Sequence, residues 1–159
     1  MKKRTALIGV ILSLIPFGYN LCIKTGFILS TTSLMFFVPE KVNAETSNFY
    51  FDRGYEKAKK GDYYGAISDY KKSIDINPQK LEAYNNIAYV MRNKEINDNY
   101  AAIFYATKAI EIDPNYSNAY LNRGVAKENL GDIAGACDDW SKASYFGNES
   151  AAKCVRNQC

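Results

Sequence analysis

The chain repeats itself. GDYYGAISDYKKSIDINP, Gly61 to Pro78, returns 70 residues later as GDIAGACDDWSKASYFGN, Gly131 to Asn148. A looser copy, NYAAIFYATKAIEIDP, lies between them and ends at Pro114. Tyr50, Tyr84 and Tyr120 recur at spacings of 34 and 36 residues; Gly54, Ala88 and Gly124 keep the same two spacings, as do Ala66, Ala102 and Ala136. A period of about 34 is the signature of a stacked helix-turn-helix repeat. One helix pair cannot bury its own apolar face, so neighbours must stack, and about three units are the minimum for stability. The expectation is an all-α solenoid of three helix pairs, closed by a C-terminal capping helix.

The breakers set the spans. A first helix is expected over about 49–60 after a short polar lead-in, Glu45 to Asn48, with Gly61-Asp62 as the turn. Its partner should run over about 63–76 and stop ahead of Asn77-Pro78, because the residue before a proline avoids the helical region. The second pair is expected at about 81–94 and 98–112, the third at about 117–130 and 132–145. The turn Glu95 to Asn99 carries the two residues that lengthen the middle repeat, and it lacks the Gly-Asp of the others. The repeats thus fall at about 47–80, 81–116 and 117–150, inside a domain of residues 45–159, with the cap over 149–158. A solenoid needs such a cap because its last repeat has one uncovered face.

These residues resemble the tetratricopeptide repeat (TPR) family. Small residues stand where that family has them, at Gly54, Ala66 and Ser73, at Ala88, Ala102 and Ala109, and at Gly124, Ala136 and Ala143. Aromatics stand at Tyr50, Tyr70, Tyr84, Tyr120 and Trp140, and Pro78 and Pro114 close the first two repeats. The ending, ASYFGNESAAKCVRNQC, also resembles the last helix of short secreted TPR proteins of cyanobacteria. The motif residues are structural, so the resemblance speaks to fold far more than to function.

Residues 1–44 read as a leader: a signal peptide or a membrane anchor. Met1-Lys2-Lys3-Arg4 is a positive start, followed by uncharged runs from Thr5 to Ile23 and from Thr25 to Pro39. The second run suits the apolar part of a signal peptide, and Val42-Asn43-Ala44 loosely fits a cleavage site after Ala44. The alternative keeps residues 5–23 as an anchor, since a span needs about 20 residues. The protein is therefore expected in an exported space, a periplasm or thylakoid-like lumen, or on a membrane through its N-terminal segment.

Charge and composition narrow the function. The net charge of +3 comes from the leader; from residue 45 onward 15 basic and 16 acidic residues remain, which gives no basic patch for nucleic acid. The chain has no histidine, the usual general base and commonest metal ligand. No phosphate loop, nucleophile–base pair or metal cluster stands out, so no enzyme, cofactor or metal is expected. Cys137, Cys154 and Cys159 follow the leader. Cys137 takes the register of Ile67 and Ile103, which suits either a small core residue or a staple to the cap. Cys154 and Cys159 lie about 140° apart on a regular helix, which favours Cys137–Cys154 or Cys137–Cys159 over a bond within the cap.

What remains is a surface for another protein. In the family, the first helix of each pair lines a concave groove. By that resemblance the groove takes Asn48, Phe51, Tyr55 and Lys59; Glu82, Asn85, Tyr89 and Arg92; and Asn118, Leu121, Val125 and Glu128. Phe51, Tyr55, Asn85, Tyr89, Arg92, Leu121 and Val125 are the expected partner contacts, with Phe51, Tyr55 and Tyr89 giving area and Asn85 and Arg92 setting direction. The family's carboxylate clamp for chaperone C-termini is absent. Asn86 matches it, but Phe51 and Tyr55 replace its first-repeat Lys and Asn, and Asn118 replaces a third-repeat Lys.

Overall fold

The computed structural model describes residues 40–159. Among these the chain forms seven α-helices: α1 (Glu40–Lys59), α2 (Tyr63–Ile76), α3 (Leu81–Met91), α4 (Asn99–Ile112), α5 (Ser117–Asn129), α6 (Ile133–Tyr145) and α7 (Glu149–Gln158). They pack pairwise, α1 on α2, α3 on α4 and α5 on α6, with α7 laid on α6. The first helices also touch in series, α1 to α3 and α3 to α5, and so share one side of the stack.

The turns explain the boundaries. Gly61, Gly131 and Gly147 stand at φ of 82°, 84° and 88°, a left-handed conformation that costs glycine little. The residue after each caps the next helix: Asp62, Asp132 and Asn148 accept from the amides of Gly65, Gly135 and Ala151 at 2.9, 2.9 and 3.0 Å. The middle repeat reaches the same geometry without glycine. Asn97 takes φ 52°, and Asp98 accepts from the Ala101 amide at 3.0 Å. Asparagine is among the few non-glycine residues that tolerate that region. Asn77 and Asp113, each before a proline, are extended and end α2 and α4.

Helix α1 begins well ahead of the expected start at Phe49, and the polar lead-in Glu45 to Asn48 is helical. The reason is tertiary. Ser47 is fully buried, its hydroxyl donating to the Ser73 carbonyl at 3.0 Å and lying 3.0 Å from the Ser73 hydroxyl. Val42-Asn43-Ala44 falls within this helix, whereas the uncharged runs of residues 5–23 and 25–39 lie outside the described residues. No helix among the described residues is long and apolar enough to cross a membrane.

The core sits between paired helices. A Cβ at Gly54 would lie 2.9 Å from the Tyr70 ring and 3.2 Å from the Ala66 carbonyl; at Gly124 it would lie 2.6 Å from the Trp140 indole and 3.2 Å from the Ala136 carbonyl. Glycine thus makes room for the aromatic of the facing helix. In the middle repeat Ala88 and Ala106 hold the matching registers, both fully buried.

Two ion clusters recur 70 residues apart. Arg53 grips Asp69 with two hydrogen bonds of 2.7 Å, and Lys57 joins at 2.8 Å. Arg123 grips Asp139 at 2.9 and 2.7 Å, and Lys127 joins at 2.8 Å. Both aspartates are 1% exposed. Satisfying a buried carboxylate in this way avoids the penalty of leaving it unpaired. The Arg53 contact, then Lys57, hold Asp69 down to about 2 against the opposing effect of burial. At the far end Ala151 of α7 is fully buried in the core of the third repeat, and Cys137 is joined to Cys159 with Cα atoms 5.8 Å apart. Among the described residues Cys154 is the free thiol, half-buried against the same core cluster as Cys137, and burial pushes its pKa up.

Candidate groove on the inner helices

Two cavities open along α3. The larger, about 390 Å³, takes Tyr55, Ala58 and Lys59 from α1, Tyr63 and Tyr70 from α2, and Asn86, Tyr89 and Val90 from α3. The smaller, about 200 Å³, takes Asn85, Asn86, Tyr89 and Arg92 from α3 and Asn118, Leu121 and Asn122 from α5. Asn86 and Tyr89 line both, so the Tyr89 side chain is part of a shared wall.

Four tyrosines give the larger cavity its character. Tyr55 and Tyr89 are 51% and 53% exposed, large for aromatics on helices that also build the core. Tyr70 is buried; its hydroxyl accepts from Asn86 Nδ2 at 3.4 Å, and its own proton has no acceptor among the described residues. Burial pushes Tyr70 up to about 12, the Asn86 bond opposing, so the hydroxyl stays protonated and keeps a donor at the cavity.

The smaller cavity is polar. Asn122 donates to Asn85 Oδ1 at 2.8 Å and accepts from Arg92 Nε at 3.1 Å. The Arg92 guanidinium stands 4.8 Å from the Tyr89 ring centroid. Burial lowers the Arg92 pKa, with the Tyr89 side opposing.

Five of the seven expected contacts meet here: Tyr55, Asn85, Tyr89, Arg92 and Leu121. Phe51 and Val125 line neither cavity. Phe51 is half-buried, its ring 5.7 Å from Tyr70 and capped by Lys80 at 4.9 Å, so it belongs to the first core cluster. Val125 packs against the core of the third repeat. The role expected of Asn85 also changes. It is 7% exposed and its oxygen already accepts from Asn122, so it is not open to pair with a peptide at both ends. Asn86, Asn122, Tyr63 and Tyr70 were not among the expected contacts. Asn86 was legible in its match to the family's clamp; Tyr63 and Tyr70 come from a second helix, where the groove rule does not look.

Three stacked helix pairs, small-to-large packing between paired helices, a terminal cap and a lined inner face define an α-helical repeat protein of the solenoid class. Family profiles agree: one described as TPR repeat matches residues 54–94, and two described as tetratricopeptide repeat match 81–116 and 105–138. The chain belongs to the TPR repeat proteins. No curated protein sequence matches it. Among solved structures it is similar to the Arabidopsis OM64 TPR domain, with 27% identity and a TM-score of 0.68 over 73% of this chain and 96% of that one. It is also similar to the second TPR domain of human RPAP3 in complex with the HSP70 peptide SGPTIEEVD, with 27% identity and a TM-score of 0.65 over 74% of this chain and 96% of that one. The second TPR of Spaghetti (RPAP3), bound to the HSP90 peptide SRMEEVD, is 26% identical with a TM-score of 0.63, covering 67% of this chain and 96% of that one.

Proposed function

We propose that this protein is an adaptor or assembly factor, not an enzyme, that holds a segment of another protein in the groove lined by α1, α3 and α5. The observation that carries this reading is the paired cavity around Tyr89, walled by half-exposed aromatics and a tyrosine hydroxyl with a proton to give. Such a surface suits an extended or helical segment, whose carbonyls accept hydrogen bonds and whose side chains fill alternating pockets. The peptide-bound TPR domains of RPAP3 and Spaghetti support it by analogy. Their ligands do not transfer directly, because Phe51, Tyr55 and Asn118 stand here in place of the clamp's Lys, Asn and Lys.

The place of action in this proposal is an exported space or a membrane surface. The leader's uncharged runs support it, as does Cys137–Cys159, since disulfides persist in oxidising compartments. The resemblance of the C-terminal stretch to short secreted TPR proteins of cyanobacteria points the same way. N-terminal sequencing of the native protein separates a free form beginning at Glu45 from one anchored by residues 5–23.

The groove is tested with a photo-crosslinking residue in place of Tyr89, and separately of Tyr145, which is 85% exposed on the outer helix α6. A partner adduct is expected at Tyr89 and not at Tyr145; the reverse pattern sinks the groove reading. Because Tyr89 is half-exposed, Tyr89→Ala should leave thermal stability unchanged while weakening partner binding by about 1–2 kcal/mol or more.

A further inference from the structure

We propose that the groove selects an internal segment carrying an acidic side chain two or three positions from a large apolar one, the carboxylate held by Arg92 and the apolar side chain seated among Tyr55, Tyr63, Tyr70 and Tyr89. This rests on the groove being the binding surface and goes beyond it by giving the partner's chemistry.

Arg92 differs from the arginines of the core. Arg53 and Arg123 each hold a buried aspartate through two hydrogen bonds. Arg92 is half-buried, yet among the described residues no carboxylate pairs with it and neither Nη donates a hydrogen bond. Only its Nε is engaged, by the neutral amide oxygen of Asn122, and Tyr89 supports its face. Asn122 is in turn fixed by Asn85. The guanidinium is therefore oriented by groups that do not neutralise it. A cation partly withdrawn from water without an anion is uncompensated, and the free Nη edge of an arginine fits a carboxylate fork to fork.

The surroundings carry the same sign. Among the described residues no aspartate or glutamate lines either cavity; the charged lining residues are Lys59 and Arg92. Lys59 is paired with Glu56 at 3.1 Å, which leaves Arg92 as the centre of attraction. The larger cavity has room for about a dozen waters at about 30 Å³ each, enough for an aromatic or branched aliphatic side chain. The two cavities share the Tyr89 wall. Residues two apart on an extended chain point the same way and lie about 7 Å apart, and residues three apart on a helix share a face, so one segment of either form reaches both.

The test uses the full-length chain and a bead-displayed library of randomised decapeptides, acetylated and amidated so that no terminal charge contributes. Wild type should enrich peptides with Asp or Glu two or three positions from an aromatic or large aliphatic residue. Arg92→Met, checked for its helical signal, should keep the apolar preference and lose the acidic one. For the best peptide, exchanging its Glu for Gln should weaken binding to wild type at least tenfold and weaken binding to Arg92→Met no further. The Glu-to-Gln arm against wild type stands even if the variant fails to fold. Enriched peptides without an acidic preference, or an acidic preference that survives Arg92→Met, overturn this inference and leave the groove reading intact. Peptides that bind Tyr89→Ala as well as wild type, or no enrichment at all, overturn both.

Discussion

Replacing Gly124 with alanine tests the packing logic of the whole stack, because two opposing effects of known size meet there. Alanine is a better helix former than glycine by about 0.5–1 kcal/mol, so in an open position the change would stabilise. Here the new Cβ would sit 2.6 Å from both Cδ1 and Nε1 of Trp140 and 3.2 Å from the Ala136 carbonyl oxygen. Carbon contacts are best at about 3.5–4.0 Å. Trp140 is fully buried, so its ring cannot swing into solvent. Overpacking of this kind costs about 1–3 kcal/mol, and contacts this short belong in the upper part of that range. The net loss should be about 1–2 kcal/mol, or a fall in Tm of about 4–8 °C for a domain of this size. Far-ultraviolet circular dichroism reads the melt, and fluorescence of the single tryptophan reports on the contact itself. Gly54→Ala is the internal comparison: its Cβ would meet Tyr70 at 2.9 Å, so the loss should be smaller. Trp140→Phe, which also removes a buried Nε1 that has no hydrogen-bond partner among the described residues, should offset part of the Gly124→Ala loss. A Gly124→Ala protein that melts at or above wild type, or a double mutant whose losses simply add, would refute the reasoning.

Two further predictions follow from the core and the cap. Asp69 is depressed from 3.8 to about 2 when folded, so it contributes stability above pH 4 that is lost as pH falls from about 4 through 2; with Arg53 partly exposed, this amounts to about 1–2 kcal/mol. Acid titration of Asp69→Asn by circular dichroism should show a shallower loss over that window, and an unchanged acid limb would refute the assignment. Cys159→Ser opens a bridge spanning 22 residues and should lower stability by about 3 kcal/mol under oxidising conditions and by nothing once both proteins are reduced. Peptide mapping without reductant should recover Cys137 linked to Cys159 with Cys154 free, and any other linkage refutes the pairing.

Much of the fold was legible because the repeat imposes one set of neighbours on every copy. Gly54 and Gly124 face helix backbone where the period puts them, and the turns at Gly61 and Gly131 follow from glycine and a capping aspartate. The departures have local causes. The Asn97-Asp98 turn lacks the Gly-Asp pattern, yet asparagine reaches the same backbone conformation. The early start of α1 depends on Ser47 meeting Ser73, a contact between residues 26 apart that no helix-boundary signal near Ser47 announces. The clusters of Arg53, Lys57 and Asp69 and of Arg123, Lys127 and Asp139 were present as a 70-residue recurrence, but charged side chains on a helix read as solvated when their partners are unknown. Cysteine spacing left two pairings open, and the end of α7 turning back onto α6 selects one. For the groove, the family's register put Tyr55 and Tyr89 on cavity walls, whereas Tyr70 and Lys80 take the Phe51 ring from either side.

The register also separates structural residues from those a partner needs. Arg53 and Lys57 recur as Arg123 and Lys127, while the middle repeat puts Ile87 and Met91 in those places and Tyr105 in the place of the aspartate. Each choice closes the core, one by a compensated ion cluster and the other by apolar contact around the fully buried Ile87. Arg92 follows neither rule. Its counterparts are Ala58 in the first repeat and Glu128 in the third, so the position runs from neutral to basic to acidic from one repeat to the next. A residue held by the stack would meet similar neighbours in each copy and would be expected to recur in kind. Arg92 instead appears once, half-buried and without an anion among the described residues, beside the wall shared by the two cavities. The charge that Arg92 calls for is therefore local, a single carboxylate near the middle of the bound segment.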